Sequence, residues 1–323
     1  MPEISYIRAI NEALREELRR DPLTFVMGLD VWVGAFGATN GLTDEFGPER
    51  IRNAPISEAG YAGAGVGAAM AGMRPIVEIE FASFFYCCWD QVCNQAAKLR
   101  YMSGGQADIP ITFRTAYGAT GQAAAQHSET VYAQFMSVPG LKIVAPSDPY
   151  DMKGLLKSAI RDNNPVLVFE HMGLGRLRGQ VPDEDYVVPI GKGAVKREGK
   201  DITVVAIGAM VSKALAAAKA LEQEGISIEV VDPRTLVPLD EEIILNSVGK
   251  THKVLVVDEG HLRGGAAAEI AAVIADKGFD LLDAPIKRLT TPDVPIPFSP
   301  PMEKFVLPDD TKIVKAVKEL VGR

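Results

Sequence analysis

Short, continuously apolar runs alternate with helix-like segments along the first half of the chain. The apolar runs lie at residues 24–28, 75–79, 109–114, 142–146 and 165–170. The segments with a helical pattern lie at roughly residues 5–20, 59–72, 84–101 and 148–162. Uninterrupted apolar runs that alternate with helices are typical of a parallel sheet covered on both faces. The pattern therefore predicts a doubly wound α/β domain.

The same alternation starts again after a polar stretch at residues 176–188, which has the character of a linker. Its apolar runs lie at residues 202–208, 226–232 and 253–258, with helical patterns between them. Five prolines between Pro292 and Pro301 predict an extended segment that wraps a surface. We therefore predict an α/β fold with two doubly wound domains, at residues 1–186 and 187–323.

The charge and the cysteines narrow the choice of partners and compartment. The formal net charge of −8 disfavours nucleic acid and anionic membranes as partners. The weakly apolar stretch at residues 59–77 is broken by Arg74 and Pro75, so no membrane span is predicted. Cys87, Cys88 and Cys93 crowd into one apolar stretch without disulfide or metal spacing. We therefore expect reduced core thiols and a cytoplasmic or organelle-matrix protein.

One carboxylate, Glu58, lies at the start of a helix made almost entirely of small residues. Residues 59–72 are nearly all Gly, Ala, Val and Met. A carboxyl group held against so apolar a wall is desolvated, which favours a form that shares a proton with a bound base. Alternatively, Ser57 and Glu58 only cap the N-terminus of the helix. Local sequence leaves both interpretations open.

Several separate motifs occur in one order along the chain and together indicate a family. They include Pro55–Gly60, Gly72–Pro75, Arg100–Gly105, Gln126–Ser128, Asp232–Leu236 and Asp258–Gly260. Through them, about residues 4 to 321 resemble the β subunit of the thiamine-diphosphate-dependent decarboxylating component of 2-oxo acid dehydrogenase complexes. That group includes the pyruvate, branched-chain 2-oxo acid and acetoin dehydrogenases. The resemblance implies a transketolase-like fold, with a pyrimidine-binding domain followed by a transketolase C-terminal-type domain.

The resemblance also implies an activity, which is oxidative decarboxylation of a 2-oxo acid, or cleavage of acetoin, on thiamine diphosphate with acyl transfer to a lipoyl group. Glu58 matches the carboxylic acid that binds N1′ of the cofactor's aminopyrimidine ring. Phe84 matches the aromatic residue packed on that ring, and His127 matches the active-site histidine. Alternatively, Phe84 is an ordinary aromatic residue of the core, and His127 is a solvated loop residue without a catalytic role. Candidates for lining the substrate pocket are Phe85, Tyr86 and Tyr117.

The family binds the cofactor's diphosphate and Mg²⁺ through a Gly-Asp-Gly sequence followed by Asn-Asn or a near relative. Gly-Asp-Gly does not occur here, and the pair Asn163-Asn164 lies in a predicted turn. The resemblance thus implies that this chain provides half of an active site and that an α subunit, which binds Mg²⁺, provides the other half. The implied assembly is an α2β2 heterotetramer that docks on a lipoyl acyltransferase core. Relatives often hold a structural monovalent cation, usually K⁺, through backbone oxygens. The matching positions are Ile109, Ile111, Ala159, Asp162 and Asn164.

One position departs from the family's pattern. Gly28-Leu29-Asp30 stands where relatives usually have Gly-Glu-Asp or Gly-Glu-Glu. In relatives that glutamate belongs to a proposed proton path between two active sites. Leu29 carries no proton, so such communication would depend on Asp30. Two other functions stay open, namely the C-terminal half of a split transketolase-type enzyme and a non-catalytic scaffold subunit.

Overall fold

Two compact units form the chain in the computed structural model, which describes residues 1–322. The first unit comprises residues 1–117 and 135–190. The second comprises residues 118–134 and the chain from residue 191 onward. The segment 118–134, which carries His127, thus belongs to the second unit although it lies early in the sequence.

Strands and helices alternate through the first 190 residues. The strands are β1 (Glu3–Ser5), β2 (Thr24–Leu29), β3 (Ile51–Ala54), β4 (Arg74–Phe81), β5 (Thr112–Tyr117), β6 (Lys142–Val144), β7 (Val166–His171) and β8 (Arg178–Gln180). The helices are α1 (Tyr6–Arg20), α2 (Leu42–Phe46), α3 (Glu58–Met70), α4 (Ala97–Met102), α5 (Tyr132–Met136) and α6 (Pro149–Arg161).

Six strands of the first unit pair in parallel, in the order β6-β7-β5-β4-β2-β3. Their carboxyl ends therefore meet at one edge, which is where parallel α/β sheets place their ligand sites. β4 is followed at this edge by the aromatic stretch from Ala82, and β3 is followed by the turn that leads to Glu58. Within the stretch predicted to be a linker, β8 pairs antiparallel with β1.

The continuous helix predicted over residues 84–101 is instead three segments of different pitch. A 3₁₀ stretch covers Ala82–Cys88, a π-helical stretch covers Gln91–Ala96, and α4 completes the run. The first stretch is rich in aromatic residues and cysteine, which are weaker helix formers. Its geometry buries Phe85 completely, with its ring centroid 5.0 Å from that of Phe135. Aromatic packing thus overrides the regular helical repeat here.

The second unit has its own sheet. The strands of this unit are β9 (Ala194–Arg197), β10 (Ile202–Ala206), β11 (Ile228–Asp232), β12 (Thr235–Val237), β13 (Val254–His261) and β14 (Lys287–Thr291), and all of them except β12 form the sheet. The pairing order is β14-β13-β10-β11-β9, parallel except for the β9–β11 pair. The helices are α7 (Met210–Glu222), α8 (Glu241–Thr251), α9 (Ala266–Lys277), α10 (Pro300–Val306) and α11 (Asp310–Val321). The mainly parallel strands and the intervening helices agree with the predicted α/β class.

The buried faces explain why these segments fold as they do. The residues of β7 and β10 are all buried, as expected for strands covered on both faces. Gly65 of α3 is required for packing, because a Cβ there would lie 2.6 Å from Val77 Cγ2. The glycines at 60 and 67 lie on the exposed side of α3. Within residues 1–322 no helix combines the length and the apolarity needed to cross a bilayer.

Candidate active site

Glu58 is the first residue of α3 and is only 8% exposed. Ser57 makes no side-chain capping hydrogen bond, so the capping interpretation of the Ser57-Glu58 pair lacks its usual contact. Within residues 1–322 the Glu58 carboxyl group has no hydrogen bond or ion pair to a side chain. The positive end of the helix dipole supports the carboxylate at this position. A nearly buried carboxyl group is therefore available to a ligand.

The polar groups around Glu58 are themselves desolvated. The hydroxyl of Tyr61, one turn along α3, is buried and has no hydrogen-bond partner among residues 1–322. Burial, followed by the nearby Glu58 charge, raises the pKa of Tyr61. The same two causes, in the same order, raise the pKa of the Cys88 thiol to about 12. Tyr61 and Cys88 thus stay neutral at physiological pH.

A second acidic group extends this environment towards the loop after β2. Burial raises the pKa of Glu80, and the charges of Asp30, Glu78 and Glu58 raise it further. Asp30 has a left-handed φ of 50° and is exposed. Asp30 therefore lies within electrostatic reach of Glu80, although Leu29 cannot carry a proton.

A buried ion triad links three neighbouring strands of the first sheet. Arg114 of β5 is 1% exposed and donates two hydrogen bonds, of 2.6 and 2.8 Å, to the carboxylate of Glu170 on β7. Its third hydrogen bond, of 2.6 Å, goes to Glu78 on β4. Burial raises the pKa of Glu170 against the opposing effect of Arg114. The triad therefore joins β4, β5 and β7, and β4 leads into the aromatic stretch.

Phe84 lies in the 3₁₀ stretch and is half-buried, so one part of its ring is accessible. Its ring meets that of Phe81 edge to face, with the centroids 5.4 Å apart, and Phe81 meets Phe36 in the same way at 5.3 Å. These three rings form an apolar wall of the kind that an aromatic ligand ring contacts.

Two of the three residues suggested for the substrate pocket are core residues. Phe85 is completely buried, and Tyr117 is 2% exposed with its ring against that of His171. Tyr86, in contrast, is 50% exposed. Of the three cysteines, Cys87 is exposed, so the expectation of three core thiols is correct only for Cys88 and Cys93.

His127 ends a 3₁₀ turn over Ala125–His127 in the second unit, and its side chain is partly exposed. The two hydroxyl-bearing residues that follow it are deeply buried, with Ser128 at 1% and Thr130 at 8% exposure. Neither hydroxyl has a hydrogen-bond partner within the described residues. Since a buried hydroxyl without a partner is costly, these two groups are candidates for contacts with bound water or ligand.

The five positions expected to hold a monovalent cation fall in two adjoining segments. Ile109 and Ile111 are fully buried in the extended chain before β5. The other three, Ala159, Asp162 and Asn164, lie at the end of α6 and in the turn after it. The two segments touch, because the Ile109 N–H donates to the Asn163 carbonyl at 3.3 Å.

The carbonyl groups at two of these positions already accept hydrogen bonds. The Ile111 carbonyl accepts from the Val166 N–H at 3.0 Å, and the Asp162 carbonyl accepts from the Arg74 guanidinium at 3.0 Å. Each carbonyl keeps a second lone pair, whereas the nearby Arg74 charge opposes another cation. Within residues 1–322 no group of three His, Cys, Asp or Glu side chains is suited to a metal ion. The cation site therefore stays a prediction.

Comparisons with known proteins agree with this architecture. A family model described as the transketolase pyrimidine-binding domain matches residues 2–177, and one described as the transketolase C-terminal domain matches residues 191–313. The β subunit of acetoin:2,6-dichlorophenolindophenol oxidoreductase from Bacillus subtilis is 50% identical over 99% of this chain and 97% of its own length. The 2-oxoisovalerate dehydrogenase β subunit of the same organism is also 50% identical, over 99% of both chains.

This chain belongs to the family of 2-oxo acid and acetoin dehydrogenase β subunits. A further member, the mitochondrial pyruvate dehydrogenase E1 β subunit of Dictyostelium discoideum, is 46% identical over 99% of this chain and 92% of its own length. The fold and family expected from the sequence motifs are therefore confirmed.

Two solved transketolase structures share the fold of this β subunit. A split-gene transketolase, described as an inactive β4 tetramer, has a TM-score of 0.81 and 26% identity over 99% of this chain and 98% of its own. A Pichia stipitis transketolase has a TM-score of 0.71 and 16% identity, over the whole of this chain and 46% of its own. The identity of 50% to dehydrogenase subunits favours the dehydrogenase family over the split transketolase alternative.

Several groups around the site were not predicted from the sequence. The sequence did not indicate the role of Tyr61 or the ion triad of Arg114, Glu78 and Glu170. Local sequence does not show which side chains of different strands or helices contact one another. The one signal in the sequence was charge inside apolar segments, since Arg114 and Glu170 are charged residues in otherwise largely apolar runs. A charged residue in such a run is expected to be paired.

Proposed function

We propose that this chain is the β subunit of a heterotetrameric decarboxylating dehydrogenase component, acting on a 2-oxo acid or on acetoin. The observation that carries the proposal is the nearly buried, unpaired carboxyl group of Glu58 at the sheet edge. Relatives about 50% identical over the full chain carry the names of such subunits, which supports the assignment. The acyl unit passes to a lipoyl group.

The cofactor in this proposal is thiamine diphosphate, which supplies a nucleophilic C2 carbon when bound. The match to the pyrimidine-binding domain supports it. The local groups fit an aminopyrimidine ring, since Glu58 offers an unpaired carboxyl group and Phe84 offers a partly exposed aromatic face. Cys88 and Tyr61 remain neutral beside Glu58. A nearly buried carboxyl group without a side-chain partner is suited to a hydrogen bond with a ring nitrogen.

Each predicted site residue has one task in this scheme. With the cofactor bound, Glu58 would hold a proton at ring nitrogen N1′, and Phe84 would contact the same ring. His127 holds or transfers a proton while the acyl unit moves to the lipoyl group. The exposed side of α3, with Gly60 and Gly67, allows a neighbouring helix to approach closely.

The rest of the active site comes from an α subunit. This chain lacks the Gly-Asp-Gly sequence, so the diphosphate and Mg²⁺ bind to the α subunit in an α2β2 heterotetramer. The second unit serves the contact between β subunits and docking on the lipoyl acyltransferase core. The turn around Asp162 binds a monovalent cation, which K⁺-dependent protection against thermal unfolding would test.

Reconstitution tests the assignment. The α subunit and this chain are co-purified, and dye-coupled oxidation of pyruvate, branched-chain 2-oxo acids and acetoin is measured with thiamine diphosphate and Mg²⁺. We expect turnover of one substrate class that is lost when either subunit is omitted. A stable complex with no turnover on any of them would contradict the proposal. Transfer of ketol groups between sugar phosphates in the same complex would favour the transketolase alternative.

A further inference from the structure

The loop that carries His127 is strained. This loop, residues 118–131, lies between β5 and α5 in the second unit. Gln122 has a φ of 65°, and Ala124 has a φ of 59° with a ψ of −165°. The conformation of Ala124 is one that glycine adopts almost alone. Such strain persists only where surrounding contacts hold the backbone in place.

Two carboxylates hold the first part of the loop. The Ala119 N–H donates to Oε1 of Glu259, a residue of β13 that is 6% exposed. The Gln122 N–H donates to Oε2 of Glu303 on α10 at 3.2 Å. Hydrogen bonds from N–H groups to carboxylates are stronger than those to neutral acceptors. Residues about 140 and 180 positions away in sequence thus fix the backbone on the approach to Ala124.

The other end of the loop is held by the residue next to Glu259. The hydroxyl of Tyr132, the first residue of α5, donates to Oδ1 of Asp258, whose side chain is completely buried. Below the start of the loop, Ala119 packs with Ile296 and Val306 in a small apolar cluster. The proline-rich segment and α10 therefore both contact the start of the loop, and β13 holds the loop at both ends.

We infer that Glu259 and Glu303, with the Tyr132–Asp258 pair, are positioning residues that hold the strained loop and thereby set the place of the His127 imidazole. The inference rests on the role proposed for His127. Hydrogen bonds on both sides of His127 limit its backbone, and Ala124 would relax to an unstrained conformation without them. Such a relaxation would move a histidine that lies three residues away.

The test uses paired variants of the two carboxylates in the assembled complex with the α subunit. Glu259→Met and Glu303→Met remove the acceptor at similar length, whereas Glu259→Gln and Glu303→Gln keep an oxygen that accepts from the backbone. Glu319→Met is the matched control, because Glu319 pairs with Lys287 on the surface and does not touch the loop. Acyl transfer to lipoamide and dye-coupled decarboxylation are measured separately.

We expect each Met variant to slow acyl transfer about tenfold or more, since small displacements of catalytic groups have large effects on rate. Decarboxylation should change much less, and the Gln variants and the control should resemble the wild type. Combining a Met variant with His127→Ala should cause no further loss beyond His127→Ala alone. Ala124→Gly should restore part of the lost rate, because glycine adopts the required conformation without strain.

Hydrogen exchange gives a measurement that does not depend on turnover. Peptides covering residues 118–131 should exchange faster in the Met variants and at the wild-type rate in Glu319→Met. Unchanged exchange, or Met variants whose losses simply multiply with that of His127→Ala, would overturn the inference. Absence of turnover in the wild-type complex would instead overturn the proposed function, and the exchange data would still report on whether these residues hold the loop.

Discussion

Replacing Asp258 by asparagine should change how the stability of the protein depends on pH. Asp258 is completely buried, and burial raises its pKa from an ordinary 3.8 to about 6, against hydrogen bonds from Tyr132 and two backbone N–H groups. The folded chain therefore binds this proton more tightly than the unfolded chain does. Asp258 contributes most to stability below pH 3.8, and this contribution is lost as the pH rises to about 6.

The difference between the two pKa values corresponds to about 3 kcal/mol in the free energy of unfolding. About 1 kcal/mol of this falls between about pH 5 and pH 7, where the remaining protons leave the folded chain. Asparagine does not titrate, so Asp258→Asn should become more stable relative to the wild type over that range. Other carboxyl groups titrate in both proteins, and their contributions cancel in the difference.

Urea unfolding of the purified chain, followed by circular dichroism at about pH 5, 6 and 7, measures this difference. Asp276→Asn, at an exposed position of α9, is the matched control and should follow the wild type. A stability difference between Asp258→Asn and the wild type that is the same at every pH would refute the reasoning. Infrared detection of a protonated carboxyl group that Asp258→Asn lacks would support it independently.

Three further substitutions have definite expected outcomes. His127→Ala should slow acyl transfer to lipoamide about a hundredfold or more and should slow decarboxylation much less. Single-turnover kinetics measure the two steps separately, and equal losses in both would contradict a role of His127 specific to acyl transfer. Arg114→Met should destabilise the chain by about 3–5 kcal/mol in urea unfolding, because Glu170 and Glu78 lose their buried partner; a loss below about 1 kcal/mol would contradict the triad's role. Tyr61→Phe should raise the free energy of unfolding of the cofactor-free chain by about 1 kcal/mol, because the buried hydroxyl has no hydrogen-bond partner within residues 1–322. A lower free energy of unfolding in this variant would contradict the prediction.

The fold was predictable because its strands are buried on both faces. Continuous apolar runs such as those of β7 and β10 have few alternatives to a covered parallel sheet. The run over residues 84–101 was less predictable, since its hydrophobic pattern suits a helix of any pitch. The packing of Phe85 against other rings, which involves residues distant in sequence, favours the 3₁₀ segment.

Residues of the candidate site were predictable only where the neighbouring sequence itself is unusual. Glu58 stands out because a carboxylate precedes a run of small residues, and the structure places it nearly buried and unpaired. The Arg114 triad and the Glu259–Ala119 contact join residues far apart in sequence, so no local pattern reveals them. Backbone carbonyls, which the cation site needs, are common to every residue and leave no mark in the side chains.

The central claim is that Glu58 activates thiamine diphosphate through N1′. Exchange of the cofactor's C2 hydrogen with deuterated solvent, followed by NMR in the complex with the α subunit, measures that activation directly. Glu58→Gln keeps the size of the side chain and removes the acidic proton. We expect the Glu58→Gln complex to assemble and bind the cofactor, with exchange slower by about 10²–10⁴-fold. Exchange at the wild-type rate in Glu58→Gln would contradict it.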